Sequence, residues 1–300
     1  MNIWRLFPLA ASQSTLLALL LTPSMLWADI AKDLAAGIPL QKVMERAMTM
    51  KESTLSNTAI MTELIKEGQN PVSVTTAALK IGMPLAEVIK ASLNHGVEIS
   101  VVMATAIQAN MNIKELIASA IASGASVKEV MTGAISAGVT PSAVMSNALE
   151  SGVAVQTVVT GALESGVKTS DVITTSIKSG ASASLVVSAA ILSGIHPAEV
   201  VTASIKSGAS AAEVVSSALS TNSGNTASLV TNIVTAAINA GGNAAEIVTV
   251  AVAKAPETSA AIQKTAISLG ADTTTIQRAA ATGLEKSNKP TQEGSIPSPS

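Results

Sequence analysis

Between residues 37 and 283, large apolar side chains come in adjacent pairs, and the pairs recur every fourteen residues. The stretch SGASASLVVSAAILSGIHPAEVVTASIKSGASAAEVVSSALS, residues 179–220, states the pattern three times. Repeats open at Gly37, Thr54, Gly68, Gly82, Gly96, Asn110, Gly124, Gly138, Gly152, Gly166, Gly180, Gly194, Gly208, Ala227, Gly241, Pro256 and Gly270. That makes seventeen repeats, thirteen of them opened by glycine. Self-similarity at a fixed short period over most of a chain is the signature of a repeat architecture.

With the opening residue as position zero, positions 6 and 7 are usually Val, Ile or Met. Position 10 is usually Ala or Ser, and position 11 is Ile or Leu; Val200, Val201, Ser204 and Ile205 are one set. Apolar residues at i, i+1, i+4 and i+5 fall within about 140° of a helix and do not alternate as a strand requires. Position 2 is often a capping residue with Glu three places later, as in Ser126/Glu129, Ser210/Glu213, Asn112/Glu115 and Asn243/Glu246, a spacing that fits capping boxes. Pro71, Pro141 and Pro197 stand at position 3, where a first helical residue tolerates proline. Each repeat therefore reads as one helix of about eleven residues, stopped by a glycine in left-handed conformation. Asn110 substitutes for that glycine because asparagine is the next residue to tolerate a left-handed backbone.

A helix this short is marginal in isolation. It is stable only when neighbours cover its apolar stripe, and short links fold successive helices back so that helix n stacks near helix n+2. The expected fold is all-α, an α-solenoid of about 17 short helices stabilised by nearest-neighbour interfaces. Its bounds are 37–283, with a five-residue insertion near 221–226 and a lead-in at 29–36. Residues 284–300, LEKSNKPTQEGSIPSPS, are rich in Pro and Ser and read as a disordered tail. The eight charges within 37–67 and the single large apolar residue, Ile276, of the last repeat suit end repeats that pack on one side only.

Composition adds a leader. Residues 1–28, MNIWRLFPLAASQSTLLALLLTPSMLWA, combine a short basic start, a leucine-rich stretch and a small terminal residue. This is the anatomy of a secretory signal peptide with cleavage between Ala28 and Asp29. Pro8, Ser12, Gln13 and Ser14 interrupt the apolar run, leaving too little to span a bilayer. The expected product is exported, periplasmic or extracellular, with no membrane span after the leader is removed. There is no cysteine, so no disulfide framework supports it. Trp4, Phe7 and Trp27 are the only aromatic residues and all precede Asp29, and net charge moves from −2 to −3 with the loss of Arg5. Without basic patches or aromatic platforms, nucleic acid is not an expected partner.

Candidate chemistry is sparse. His95 and His196 fall at different repeat positions and read as loop residues rather than a metal or catalytic pair. The recurrent Glu at position 5 reads as helix capping favoured by the helix dipole. Met44, Met61, Met103, Met131 and Met145 share position 7, inside the apolar stripe, and read as core rather than as soft-metal ligands. No cofactor, metal or enzymatic activity is expected. The regular outward feature is a hydroxyl row at position 8: Thr62, Thr76, Thr132, Ser146, Thr160, Thr174, Ser188, Thr202, Ser216, Thr235 and Thr249. The expected function is that of an exported non-enzymatic spacer, scaffold or interaction surface. The alternative is a binder of a repetitive ligand (glycan, cell-wall polymer, ice, or the protein itself) through this row on the outer helix face.

Overall fold

The computed structural model describes residues 23–49, 56–222 and 224–288. Among them are eighteen α-helices and one short 3-10 turn. The chain divides into two compact units, 1–111 and 112–300. The first holds α1 (Pro23–Ala35), α2 (Leu40–Thr49), α3 (Asn57–Lys66), α4 (Pro71–Lys80), α5 (Leu85–Asn94) and α6 (Ile99–Gln108). The second begins with α7 (Ile113–Ala122), α8 (Val127–Ser136), α9 (Pro141–Glu150), α10 (Val155–Glu164), α11 (Thr169–Lys178) and α12 (Ala183–Leu192). It continues with α13 (Pro197–Lys206), α14 (Ala211–Thr221), α15 (Ala227–Asn239), α16 (Ala244–Lys254), α17 (Ser259–Ser268) and α18 (Thr273–Ser287). The fold is an all-α helical solenoid, one helix per fourteen-residue repeat, most of them ten residues long.

Within each unit a helix packs on its immediate neighbour and on the helix two places along. Helices therefore form two rows, one of even-numbered and one of odd-numbered members. Positions 6, 7 and 10 seal the space between them; in α13, Val200, Val201 and Ser204 are all fully buried. The five position-7 methionines are likewise fully buried. Position 11 joins this core only in some repeats: Leu79, Leu219 and Val252 are buried, but most of the others are not. It lies roughly 100° round the helix from position 10, and Ile205 is only half-buried there. Alanine or serine at position 10 keeps the helix surfaces close, because a larger side chain would hold the backbones apart.

Helix ends follow the repeat boundary closely. At Gly166 the amide donates to Leu163 O at 3.0 Å and the following Val167 amide to Ala162 O at 3.2 Å, the paired bonds of a Schellman stop. Asn110 takes φ 56°, the left-handed geometry inferred for it. Pro71, Pro141 and Pro197 each start a helix. Of the four expected capping boxes, only Ser126/Glu129 closes in both directions. Asn112 and Asn243 cap with their own side chains alone. Ser210/Glu213 does not form; Glu213 instead accepts the Ser184 amide of α12 at 3.2 Å, capping the helix two places back.

Four boundaries differ from the sequence reading. The lead-in at 29–36 belongs to α1, which runs through the Ala28–Asp29 junction, places Ile30 in the core and ties Asp33 to Arg46 of α2 at 2.8 Å. After the insertion, α15 starts at Ala227, position zero, three residues ahead of the usual start. A 3-10 turn, Pro256–Thr258, precedes α17. Helix α18 continues through Gly283 to Ser287, so 284–287 are helical rather than part of the tail. Gly283 is not a stop here: a Cβ at that residue would lie 2.6 Å from Thr249 O and 2.8 Å from Val252 Cβ, so glycine lets α18 seat directly on α16. The remaining tail residues 289–300, the leader residues 1–22, residues 50–55 including Thr54, and Ser223 of the insertion lie outside the described residues.

Candidate functional site

The hydroxyl row does not form one outer face. Thr76, Thr132, Thr160, Ser188, Ser216 and Thr249 are on even helices, while Thr62, Ser146, Thr174, Thr202 and Thr235 are on odd ones. Because the rows alternate within each unit, a position repeated every fourteen residues is divided between two faces of that unit. Ten of the eleven side chains are half-buried and Thr132 alone is exposed.

Many of these hydroxyls are engaged inside the molecule. Position 8 meets position 13 of the helix two places along, thirty-three residues later. The rungs are Ser146–Ser179 at 2.9 Å, Thr160–Ser193 at 3.0 Å, Thr174–Ser207 at 2.8 Å and Ser188–Thr221 at 2.9 Å. Ser193, Ser207 and Thr221 donate their own protons to carbonyls four residues back, Ala189, Ala203 and Ser217. Each therefore accepts from its position-8 partner, which fixes the direction of the rung. Several position-8 threonines that form no rung donate to a carbonyl of their own helix, Thr132 to Lys128 O even though Ser165 stands at position 13. Thr76, opposite Ala109, donates to Val72 O, and Thr202, opposite Ala240, donates to Ala198 O.

The histidines serve helix ends. His95 takes a rung position, its Nε2 3.0 Å from Thr62 Oγ1. His196 is the N-cap of α13 and its Nδ1 accepts the Ala198 amide at 3.3 Å. Among the described residues no group of three His, Asp or Glu side chains gathers as a metal site, and no helix is long and apolar enough to cross a membrane. Ala28 and Asp29 are exposed on α1.

On the even row of the second unit, one pocket lies between α16 and α18, lined by Glu246, Thr249, Arg278 and Lys286, and two adjoining grooves lie around α10. One groove, between α8 and α10, is lined by Lys128, Gln156, Thr157, Thr160 and Glu164. A second, of about 590 Å³ between α10 and α12, shares Gln156, Thr160 and Glu164. It adds Leu163, Val167, Lys168, Leu192 and Ile195. Leu192, at the last helical residue of α12, is 66 % exposed, and Leu185 two turns earlier is 56 % exposed. Helix α12 has no charged side chain, whereas the corresponding last residues of α9, α10, α11 and α13 are Glu150, Glu164, Lys178 and Lys206. Sequence reasoning passed over Leu192 because it sits in a run of apolar residues. The available signal was its position, which is polar in most other repeats.

Arranged this way, the α10 face offers an apolar anchor, an amide, a carboxylate and two ammonium groups in a shallow, open setting. That combination suits polypeptide contact better than bond-making chemistry. Comparison with family models and with curated proteins found no match to the chain.

Proposed function

We propose that this chain is an exported, non-enzymatic helical-repeat scaffold that presents an interaction surface on α8, α10 and α12. The observation that carries the reading is Leu192, projecting beside a groove at a point where the repeat normally places a polar group. Exposed leucine has no role in the helix's own packing, and polar-rimmed apolar patches are typical of contact sites. Two adjoining grooves sharing one helix suit an extended partner rather than a small molecule. The leader anatomy supports export to the periplasm or beyond, with the mature chain starting at Asp29. The repetitive-ligand reading is less favoured, because rung hydroxyls already have partners within the fold.

Site-specific photocrosslinking in the producing cell tests the proposal. Crosslinkers at Gln156 and Leu192 are expected to trap a polypeptide, while one at Asp171 on the odd row does not. Equal trapping at all three sites, or none at any, would sink the assignment of this face. Intact-mass measurement of the exported product tests the start at Asp29, and retention of residues 1–28 would overturn it.

A further inference from the structure

Resting on the interaction-surface reading, we propose that the occupant of the α10–α12 groove is a second copy of this chain, related by a two-fold axis. An isologous interface requires one patch to carry both halves of every contact. This patch does. Leu192 is the projecting group, and Leu163, Val167 and Ile195 line the groove into which the partner copy's equivalent leucine fits.

Charge follows the same rule. Glu164 and Lys168 line the same groove, four residues apart, and both are exposed. The ion pairs among the described residues are Arg46–Asp33, Lys66–Glu63 and Lys114–Glu150, so neither charge is committed to an ion pair among them. A two-fold axis sets Glu164 of each copy against Lys168 of the other, while the patch as a whole carries no net charge to oppose approach. The polar atoms beneath are also prepared for cover. Thr160 donates to Ser193, and Ser193 donates to Ala189 O, so closing the groove over these two hydroxyls strips neither of its partner. One groove and one leucine per copy make a patch smaller than a standard interface of about 800 Å² per partner, which implies a concentration-dependent dimer.

Sedimentation velocity of the exported protein over a wide concentration series is the test. The wild type is expected to move from monomer to dimer. Leu192→Glu is expected to raise the dissociation constant at least ~tenfold, with helicity and unfolding midpoint unchanged because the side chain is exposed. Glu164→Lys and Lys168→Glu each place like charges across the axis and weaken self-association. Mixed together, these two single variants form a heterodimer, and both substitutions in one chain restore the homodimer. A wild type that stays monomeric throughout overturns the proposal, as does self-association indifferent to these variants. If the monomer still gives crosslinks at Leu192 to a different polypeptide, self-docking fails while the interaction-surface reading stands.

Discussion

Thr202 provides an internal control for the hydroxyl rungs. It shares position 8 and half-burial with Thr160, Thr174 and Ser188, yet it faces Ala240 and bonds only to its own helix at Ala198 O. Thr160, Thr174 and Ser188 instead reach across to the helix two places on, at 3.0, 2.8 and 2.9 Å. Replacing threonine with valine, and Ser188 with alanine, removes the hydroxyl and keeps much of the shape. A hydrogen bond contributes about 0.5–1.5 kcal/mol net, and half-burial places these rungs toward the lower end. Each of the three changes is expected to cost about 0.5–1 kcal/mol. Thr202→Val should stay within about ±0.5 kcal/mol, since a back-bond to the i−4 carbonyl contributes little to helix stability.

Urea unfolding followed by circular dichroism reads these costs as midpoint shifts at constant slope. Because arrays of repeats can lose two-state behaviour, a double-mutant cycle on Thr174→Val and Ser207→Ala supplies an independent measure. The expected coupling is about 0.5–1 kcal/mol. Equal costs at Thr174 and Thr202, or zero coupling in the cycle, would refute the claim that the row is a set of interhelical bonds. The same half-burial means that lysine at Thr160, Thr174 and Ser188 should destabilise the fold, whereas an open face would accept it.

Other expectations follow from neighbouring features. Gly180→Ala should cost about 1–2 kcal/mol through its left-handed backbone alone, because φ is 86° and nothing lies within 4 Å of the added Cβ. Gly161→Ala fails differently, because a Cβ there would lie 2.7 Å from Val127 Cγ1, 2.8 Å from Val127 Cβ and 3.1 Å from the Lys128 amide nitrogen, so Val127→Ala, which keeps its own Cβ, should leave most of the cost in the same unfolding assay. Ser176 and Ser204 bury hydroxyls with no partner, so alanine at either is expected to raise stability by up to about 1 kcal/mol. Ser92→Ala, at the same register but bonded to Thr75 and Val88 O at 2.7 Å, should lower it. The Ser126 hydroxyl, and then its amide, hold the Glu129 carboxyl below its ordinary value; at Asp272 the Thr275 hydroxyl is the largest cause, followed by the Thr275 amide. Both folded values are depressed, so these contributions are present above the ordinary carboxylate range and fade as pH falls through the lowered values. Ser126→Ala should flatten that part of the acid-unfolding profile.

Much of this fold is written in single residues. A glycine every fourteen places is a helix stop, and Asn110 at φ 56° shows that the reading follows backbone demand rather than residue identity. Met131 and Met145 were legible as core because their position placed them there. What escaped depended on contacts between repeats. Glu213 has the spacing of a box with Ser210, but helix stacking brings the Ser184 amide within its reach. Gly283 falls one residue short of the fourteen-residue register, and the close approach of Thr249 O makes it a packing residue inside α18. Helix α1 was hidden because its first turns overlap a stretch whose composition speaks for a leader.

The candidate site escaped for a related reason. Sequence repeats every fourteen residues, whereas surface chemistry repeats every twenty-eight, because successive helices belong to opposite rows. A hydroxyl column aligned at fourteen therefore looks like one face, although the fold divides it in two and sinks most of it into seams. Aligning only the even helices gives a different picture. In the second unit their position 12 runs Ser136 in α8, Glu164 in α10, Leu192 in α12, Ser220 in α14, Ala253 in α16 and Thr282 in α18, so Leu192 is the one large apolar side chain among them. Leucine breaks a largely polar column on one face, next to a groove that has its own apolar wall. Duplication would supply a polar residue at that point, and intrahelical packing gains nothing from a side chain 66 % exposed. The departure is therefore best explained by what the face meets outside the chain. In an array this uniform, function is to be sought where one row stops resembling itself.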